Sequence, residues 1–138
     1  MIYHSQRGRT YEPGSAYGTF DDLAEAVLDT VRALEPVLHT FDVIAVQGTS
    51  GMSVGFPVAL KLGKPICVVR KPGEDNHCGS EVITGLGSNA KGLTGKSVLF
   101  VDDFVSLGGT RTRVREAVEA EGGRLVAQYM ARDGYATL

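Results

Sequence analysis

Two adjacent carboxylates stand where an apolar run of the chain ends. Asp102 and Asp103 follow Val98–Val101 directly, and the next seven residues include a serine, two glycines and a threonine. Glycine-rich turns that open a helix bind anions through backbone N–H groups, and the helix N-terminus adds partial positive charge. Carboxylates beside such a turn can hold sugar hydroxyls or a hydrated Mg2+. The pattern therefore predicts a phosphate site next to a sugar-diol or metal site.

The elements that position these groups are a buried strand over 97–102 and a helix over 110–121. A second turn of similar composition, residues 47–51, follows an apolar strand predicted over 41–46 and precedes a helix predicted over 53–62. Ligands of open α/β sheets bind just outside the carboxyl ends of the strands. Both turns are therefore predicted at the same ligand-binding edge of a sheet.

The rest of the chain predicts one α/β domain, residues 1–138, with a mainly parallel open sheet and flanking helices. An amphipathic helix is expected over 20–35, and further strands are expected over 65–70 and 124–130. Residues 1–18 show no periodicity and predict an irregular arm. The glycine-rich stretch 72–96 is longer than compact domains usually tolerate, which indicates a flexible active-site lid, with 81–84 as one limb of a hairpin.

Composition narrows the class of protein. The net charge is −2, so we expect no broad nucleic-acid binding, and the three arginines at 111, 113 and 115 predict only a solvated helix face. No apolar run approaches the ~20 residues that span a bilayer, and the N-terminus lacks a signal-peptide core. Cys67 lies in an apolar run and is expected in the core. A cytoplasmic protein without membrane contact is expected.

The segment Val98–Thr110, VLFVDDFVSLGGT, resembles the phosphoribosyl pyrophosphate (PRPP) binding motif of type I phosphoribosyltransferases. That motif is an apolar strand, two acidic residues, two apolar residues and a Ser/Thr/Gly-rich loop that ends in Gly-Thr. The alternative is a response-regulator-like or other doubly wound domain with Asp-Asp at a strand end. Nothing in that alternative requires the sequence Gly108-Gly109-Thr110, so the resemblance favours the hypothesis of a phosphoribosyltransferase.

The resemblance implies a Mg2+-dependent pentosyltransferase in which a nitrogenous base attacks C1 of the ribose of PRPP and displaces pyrophosphate. Asp102 and Asp103 would be the catalytic carboxylates, holding the ribose hydroxyls directly or through Mg2+ as its ligands. The implied 5-phosphate site is Ser106, Leu107, Gly108, Gly109 and Thr110. The implied pyrophosphate site is Gly48, Thr49, Ser50, Gly51 and Lys71. The lid would exclude water from the activated sugar.

Departures from the family pattern bear on the acceptor. Leu107 stands where many members have a phosphate-binding Thr, although backbone donors survive that change. Ser106 stands where enzymes of 6-oxopurines usually have an Asp, which argues against hypoxanthine or guanine. The hood that recognises the base is reduced to 1–18 and 131–138, where Arg132 is the candidate contact for an anionic base such as orotate.

Two functions of different class remain open from the sequence. One is a small phosphoribosyltransferase of nucleotide metabolism that acts on orotate or another pyrimidine or purine base. The other is a non-catalytic regulator that binds PRPP or a nucleotide on the same fold. The resemblance further implies a homodimer.

Overall fold

A computed structural model of the chain describes residues 3–4, 10–11, 20–70, 82–86, 92–102, 109–131 and 133–138. Its helices are α1 (Phe20–Leu34), a 3-10 helix (Glu35–Thr40), α2 (Gly48–Leu62) and α3 (Gly109–Ala120). Its strands are β1 (Tyr3–His4), β2 (Thr10–Tyr11), β3 (Val43–Val46), β4 (Ile66–Val69), β5 (Val82–Leu86), β6 (Ser97–Asp102), β7 (Arg124–Met130) and β8 (Gly134–Thr137). Within these ranges, no helix has the length and apolar character needed to cross a bilayer.

The main sheet has six strands in the order β5-β4-β3-β6-β7-β8. The four inner strands run parallel, and the two edge strands β5 and β8 pair antiparallel to their neighbours. The short strands β1 and β2 form a separate antiparallel pair. The predicted fold class, a mainly parallel open α/β sheet with flanking helices, is confirmed.

Apolar side chains fill both faces of the sheet. Helices α1 and α2 cover one face, where Leu34, Ile44 and Val58 are fully buried. Helix α3 covers the other face, where Phe100 and Val114 are buried to the same degree. Successive residues of a strand point to opposite faces, so the uninterrupted apolar runs of β3 and β6 match a sheet that is covered on both sides.

Helix α2 lies unusually close to β3 because Gly55 faces the strand. A Cβ atom at Gly55 would overlap Cγ1 of Val46, whereas one at Gly51 would make ordinary contacts at 3.6–3.7 Å. The absence of a side chain at Gly55 therefore sets how near the helix backbone comes to the sheet.

Two segments predicted from the sequence as a lid and as part of a hood contain strands of the main sheet. The segment predicted as a lid, 72–96, contributes β5 to the sheet, and its C-terminal part is packed: Leu93 is 1% exposed and its N–H donates to the carbonyl of Glu121 at 3.2 Å. The stretches 71–81 and 87–91 lie outside the described residues. The lid predicted over 72–96 therefore stays a prediction, and β5 and the packed residue Leu93 are the parts of it that the structure describes.

The tail predicted as part of the hood, 131–138, contains a strand that extends the sheet, and its role in base recognition stays a prediction. Gly134 adopts a φ of 75° and begins β8, which pairs antiparallel with β7. Tyr135 packs against the core under α1 and α2, and its hydroxyl lies 3.5 Å from Oγ1 of Thr40. A four-residue strand after a left-handed glycine is too short to produce a periodic signal, which is why the sequence did not predict it.

Candidate functional site

The central strands β3 and β6 form a topological switch point. Strand β3 leads into α2 on one face and on to β4, while β6 leads into α3 on the opposite face and on to β7. The two connections diverge from adjacent parallel strands, so they leave a crevice outside the carboxyl ends of β3 and β6. Such crevices are where open α/β sheets bind their ligands.

The first turn of α2 forms one wall of this crevice. Gln47 has an extended backbone (φ −140°, ψ 135°), and Gly48 takes a φ of 76°, so the chain turns directly from β3 into the helix. L-amino acids other than glycine rarely adopt that φ, so Gly48 makes this abrupt entry possible. The predicted turn 47–51 is therefore not a loop that precedes a helix at 53. Gly48–Gly51 is the first turn of the helix, whose N–H groups have no partners within it.

The last residue of β6 lies against that turn. A Cβ at Gly51 would sit 3.6 Å from Oδ1 of Asp102 and 3.7 Å from the carbonyl oxygen of Val101. The structure therefore brings together two parts of the predicted site, the acidic strand end and the glycine turn 48–51, which are about 50 residues apart in sequence. The carboxylate also benefits from the partial positive charge at the N-terminus of α2.

The other predicted site residues divide into two groups. Gly109 begins α3, and Thr110 is half-buried in its first turn, at the position expected for a phosphate-binding helix N-terminus. Six predicted residues lie outside the described part of the chain: Lys71, Asp103, Ser106, Leu107, Gly108 and Arg132. Their roles stay predictions.

A residue of the crevice that the sequence analysis did not single out is Gln47. Its side chain is buried, 3% exposed, at the point where β3 gives way to α2. The signal was present in the sequence, because a polar residue closes an otherwise apolar strand.

The crevice offers hard oxygen ligands. No group of three or more His, Cys, Asp or Glu side chains able to hold a metal occurs in the described ranges. Mg2+ does not need one, since it keeps several waters and usually takes only one or two carboxylates together with substrate phosphates. The half-buried carboxylate of Asp102 at the strand end fits that demand.

An apolar cleft lies at the opposite end of α2. Its volume is about 470 Å³, and its lining includes Phe56, Leu60, Lys64 and Ile66. These residues lie in the C-terminal half of α2, in the connection that follows it and at the start of β4, at the amino edge of the parallel strands. The cleft is therefore separate from the crevice that holds Asp102.

Comparison with known proteins gives a consistent set of relatives. No protein-family model matches the chain. An adenine phosphoribosyltransferase of Agathobacter rectalis is 33% identical over 116 residues, which cover 77% of this chain and 64% of the relative. An orotate phosphoribosyltransferase of Sulfurisphaera tokodaii is 26% identical over 117 residues, which cover 85% and 54%. The chain thus spans between about half and two-thirds of the length of these relatives.

Solved structures agree with the sequence relatives. The adenine phosphoribosyltransferase of Thermoanaerobacter pseudethanolicus matches with a TM-score of 0.64 and 25% identity, covering 89% of this chain and 76% of that one. The adenine phosphoribosyltransferase of Saccharomyces cerevisiae matches with a TM-score of 0.67 and 22% identity, covering 94% and 80%. The sequence relatives and the structural matches together support the predicted family, the type I phosphoribosyltransferases.

Proposed function

We propose that this protein transfers the 5-phosphoribosyl group of PRPP to a nitrogenous base and releases pyrophosphate. The observation that carries the proposal is the contact between the first turn of α2 and Asp102 at the switch point. A helix N-terminus, which is a kind of group that binds anions, lies beside a carboxylate, and this combination supports a phosphorylated sugar as the ligand. The relatives are named as transferases of adenine or orotate, which does not favour the non-catalytic regulator.

The two helix N-termini supply two separate phosphate sites. The α3 end, with Gly109 and Thr110, would take the 5-phosphate together with the predicted loop 106–108. The α2 end, Gly48–Gly51, would take the pyrophosphate together with Lys71. Because the helices leave adjacent strands toward opposite faces, the ribose would lie between them, over the ends of β3 and β6. A structurally similar adenine phosphoribosyltransferase of Trypanosoma brucei is described in complex with AMP, pyrophosphate and ribose-5-phosphate.

The proposed chemistry breaks the bond between C1 of the ribose and pyrophosphate and forms a bond from a ring nitrogen of the base to C1. The proton of that ring nitrogen passes to the released pyrophosphate or to solvent. Positive charge develops on the sugar in the transition state, and the carboxylates of Asp102 and Asp103 stabilise it electrostatically. The departing pyrophosphate accumulates negative charge, which the N–H groups of α2 and the ammonium of Lys71 stabilise. Asp102 and Asp103 would also hold Mg2+, which supplies charge neutralisation to the phosphates when bound.

The acceptor is proposed to be adenine or orotate rather than a 6-oxopurine. Ser106 cannot serve as the acidic group that enzymes of hypoxanthine and guanine usually have at this position. Arg132 would pair with the carboxylate of an orotate-like base. Strand β8 occupies residues 134–137 of the predicted base-recognition region, 1–18 and 131–138, and Arg132 itself lies outside the described residues.

A homodimer is the proposed assembly. Leu60 is 84% exposed and Phe56 38% exposed beside the apolar cleft at the end of α2, and a second copy of the chain would cover such side chains. Sedimentation equilibrium tests this assembly. The cytoplasmic location stays a prediction.

Turnover with a panel of bases tests the proposed function directly. The protein is incubated with PRPP and Mg2+ and with adenine, orotate, hypoxanthine or uracil, and the nucleoside monophosphate and pyrophosphate are quantified. We expect stoichiometric formation of both products with adenine or orotate and none with hypoxanthine. Pyrophosphate release that does not depend on a base would mean hydrolysis, and no release with any base would contradict the proposal.

A further inference from the structure

The end of β6 brings a carboxylate against the N-terminus of α2. Oδ1 of Asp102 would lie 3.6 Å from a Cβ atom placed on Gly51, and the carbonyl oxygen of Val101 would lie 3.7 Å from the same atom. Gly51 is buried, so the first turn of α2 packs directly on the strand end. The helix has no acidic residue in its first turn and no side-chain cap, so Asp102 supplies negative charge there from a neighbouring element.

This arrangement stabilises the protein without ligand and opposes a phosphate group that arrives alone. A carboxylate beside a helix N-terminus gains from the partial positive charge of the helix end. A phosphate group bound to the same turn would place further negative charge next to Asp102. Like charges a few ångströms apart repel, and the repulsion is stronger at a half-buried carboxylate than in water. The geometry therefore disfavours metal-free pyrophosphate at the N-terminus of α2.

A second acceptor lies at the same end of α2. Gln47, the residue from which the helix starts, is 3% exposed, and its Oε1 is buried with no hydrogen-bond partner among the described residues. The oxygens of metal-free pyrophosphate are predominantly acceptors too, so they are poor partners for both side chains. A hydrated divalent cation changes this, because the ion attracts the carboxylate and its bound waters are hydrogen-bond donors. These acceptors favour an anion that carries a metal ion.

We propose that Asp102 makes the N-terminus of α2 selective for the magnesium complex of pyrophosphate, and of the pyrophosphate group of PRPP, over the metal-free anion. The same carboxylate repels the metal-free anion and attracts the Mg2+ of the complex, so one residue disfavours the wrong ligand and favours the right one. This inference rests on the proposed function, in which this turn binds pyrophosphate. It adds a requirement for the metal that comes from the protein itself and acts at the binding step.

The test measures the affinity for pyrophosphate by calorimetry, with Mg2+ and with EDTA in place of Mg2+. It compares wild type with Asp102→Asn, which keeps the size of the side chain and removes its charge, and with Asp42→Asn, the matched change at the amino edge of the sheet. We expect Mg2+ to strengthen binding by about 100-fold or more in wild type and Asp42→Asn, and by about tenfold or less in Asp102→Asn. Metal-free pyrophosphate should bind Asp102→Asn about tenfold more tightly than it binds wild type.

The variant Asp102→Ser repeats the measurement with a smaller uncharged side chain, so an effect shared by both variants is one of charge and not of shape. If metal-free pyrophosphate binds the two variants no more tightly than it binds wild type, or if only one variant shows the effect, the inference is overturned and the proposed function stands. If wild type binds neither pyrophosphate nor PRPP, with or without Mg2+, the proposed function falls together with the inference.

Discussion

Polar groups at the two edges of the parallel sheet differ in how fully they are hydrogen-bonded. At the amino edge, Asp42 and Ser97 form two hydrogen bonds. The Asp42 N–H donates to the Ser97 carbonyl at 2.7 Å, and the Ser97 N–H donates to Oδ2 of Asp42 at 2.9 Å. Lys64 donates to the carbonyl of Phe41 at 2.9 Å and lies 5.1 Å from the centre of its ring. At the carboxyl edge, Gln47 keeps a buried acceptor without a donor among the described residues, and α2 starts without a side-chain cap.

This difference separates stability from function within one sheet. Paired polar groups at the amino edge hold neighbouring strands together and leave nothing for a ligand to bind. At the carboxyl edge, the first N–H groups of α2 have no partners within the helix and the buried amide oxygen of Gln47 has no donor among the described residues, which is the expected cost of a binding site. Substitutions at the amino edge should therefore change stability alone, and substitutions at the carboxyl edge should change ligand binding alone.

The largest predicted effect concerns the core between the two edges. Cys67 of β4 is fully buried, and burial raises the pKa of its thiol from the ordinary 9.0 to about 12. Because the thiolate is the reactive form, labelling of native protein at pH 8 should be about a thousandfold slower than labelling of an exposed thiol. A disulfide reagent applied to a Cys78→Ser variant, with and without urea, measures this ratio. Rapid labelling without urea would show that the sheet opens between its edges.

The next largest effect is expected at the carboxyl edge. Asp102→Asn keeps the size of the side chain and removes its charge, so kcat/KM for PRPP should fall by about 100-fold. The free energy of unfolding should change by less than about 1 kcal/mol, because the strand and its packing are unaltered. Steady-state kinetics and urea denaturation on the same preparation separate the two effects. Loss of stability in place of activity would place Asp102 with the structural residues.

The position of α2 against the sheet is predicted to depend on Gly55. A methyl group there would overlap Cγ1 of Val46, so Gly55→Ala should lower the free energy of unfolding by about 1–3 kcal/mol. Gly51→Ala is the matched control in the same helix, because its Cβ would make only ordinary contacts, so its stability should be unchanged or higher.

The double variant Val46→Ala/Gly55→Ala sharpens this test. Removing the methyl groups of Val46 makes room for the alanine, so the double variant should be more stable than the sum of the single effects by about 0.5 kcal/mol or more. Urea denaturation of the four proteins completes the cycle. Strict additivity, or a Gly55→Ala protein as stable as Gly51→Ala, would show that close contact with β3 does not set the position of α2.

The smallest effect is expected at the amino edge. Asp42→Ala removes the carboxylate that accepts from the Ser97 N–H and should cost about 1 kcal/mol of stability, since the pair is exposed to solvent. Affinity for PRPP should stay at the wild-type value. Weakened PRPP binding in Asp42→Ala would contradict the assignment of stability to the amino edge and ligand binding to the carboxyl edge.

Strong local patterns predicted most of the sheet. The apolar runs of β3, β4, β6 and β7 predicted all four parallel strands to within two residues at each end, because buried parallel strands are apolar on both faces. The edge strands β5 and β8 were not fully predicted from the sequence. They are short, and long-range pairing with β4 and β7 rather than local propensity makes them strands.

The candidate site was predicted as two separate turns, and the structure adds how they meet. The contact of Asp102 with Gly51 depends on the pairing of β3 with β6 and on the close packing of α2 on β3. Neither feature can be predicted from the sequence of a single element. The helical start at Gly48 was missed because glycine and hydroxyl residues ordinarily predict a loop. Gln47 was not singled out although it closes an apolar strand, because that pattern alone does not predict the burial of its side chain.

The most direct test of this account is calorimetric titration of PRPP with Mg2+ into wild type, Asp102→Asn and Asp42→Ala. We expect one site in wild type, the same affinity in Asp42→Ala, and binding lost or weakened by about 100-fold in Asp102→Asn. Equal binding by wild type and Asp102→Asn, or no binding by folded wild type, would contradict a PRPP site at the carboxyl edge of the sheet.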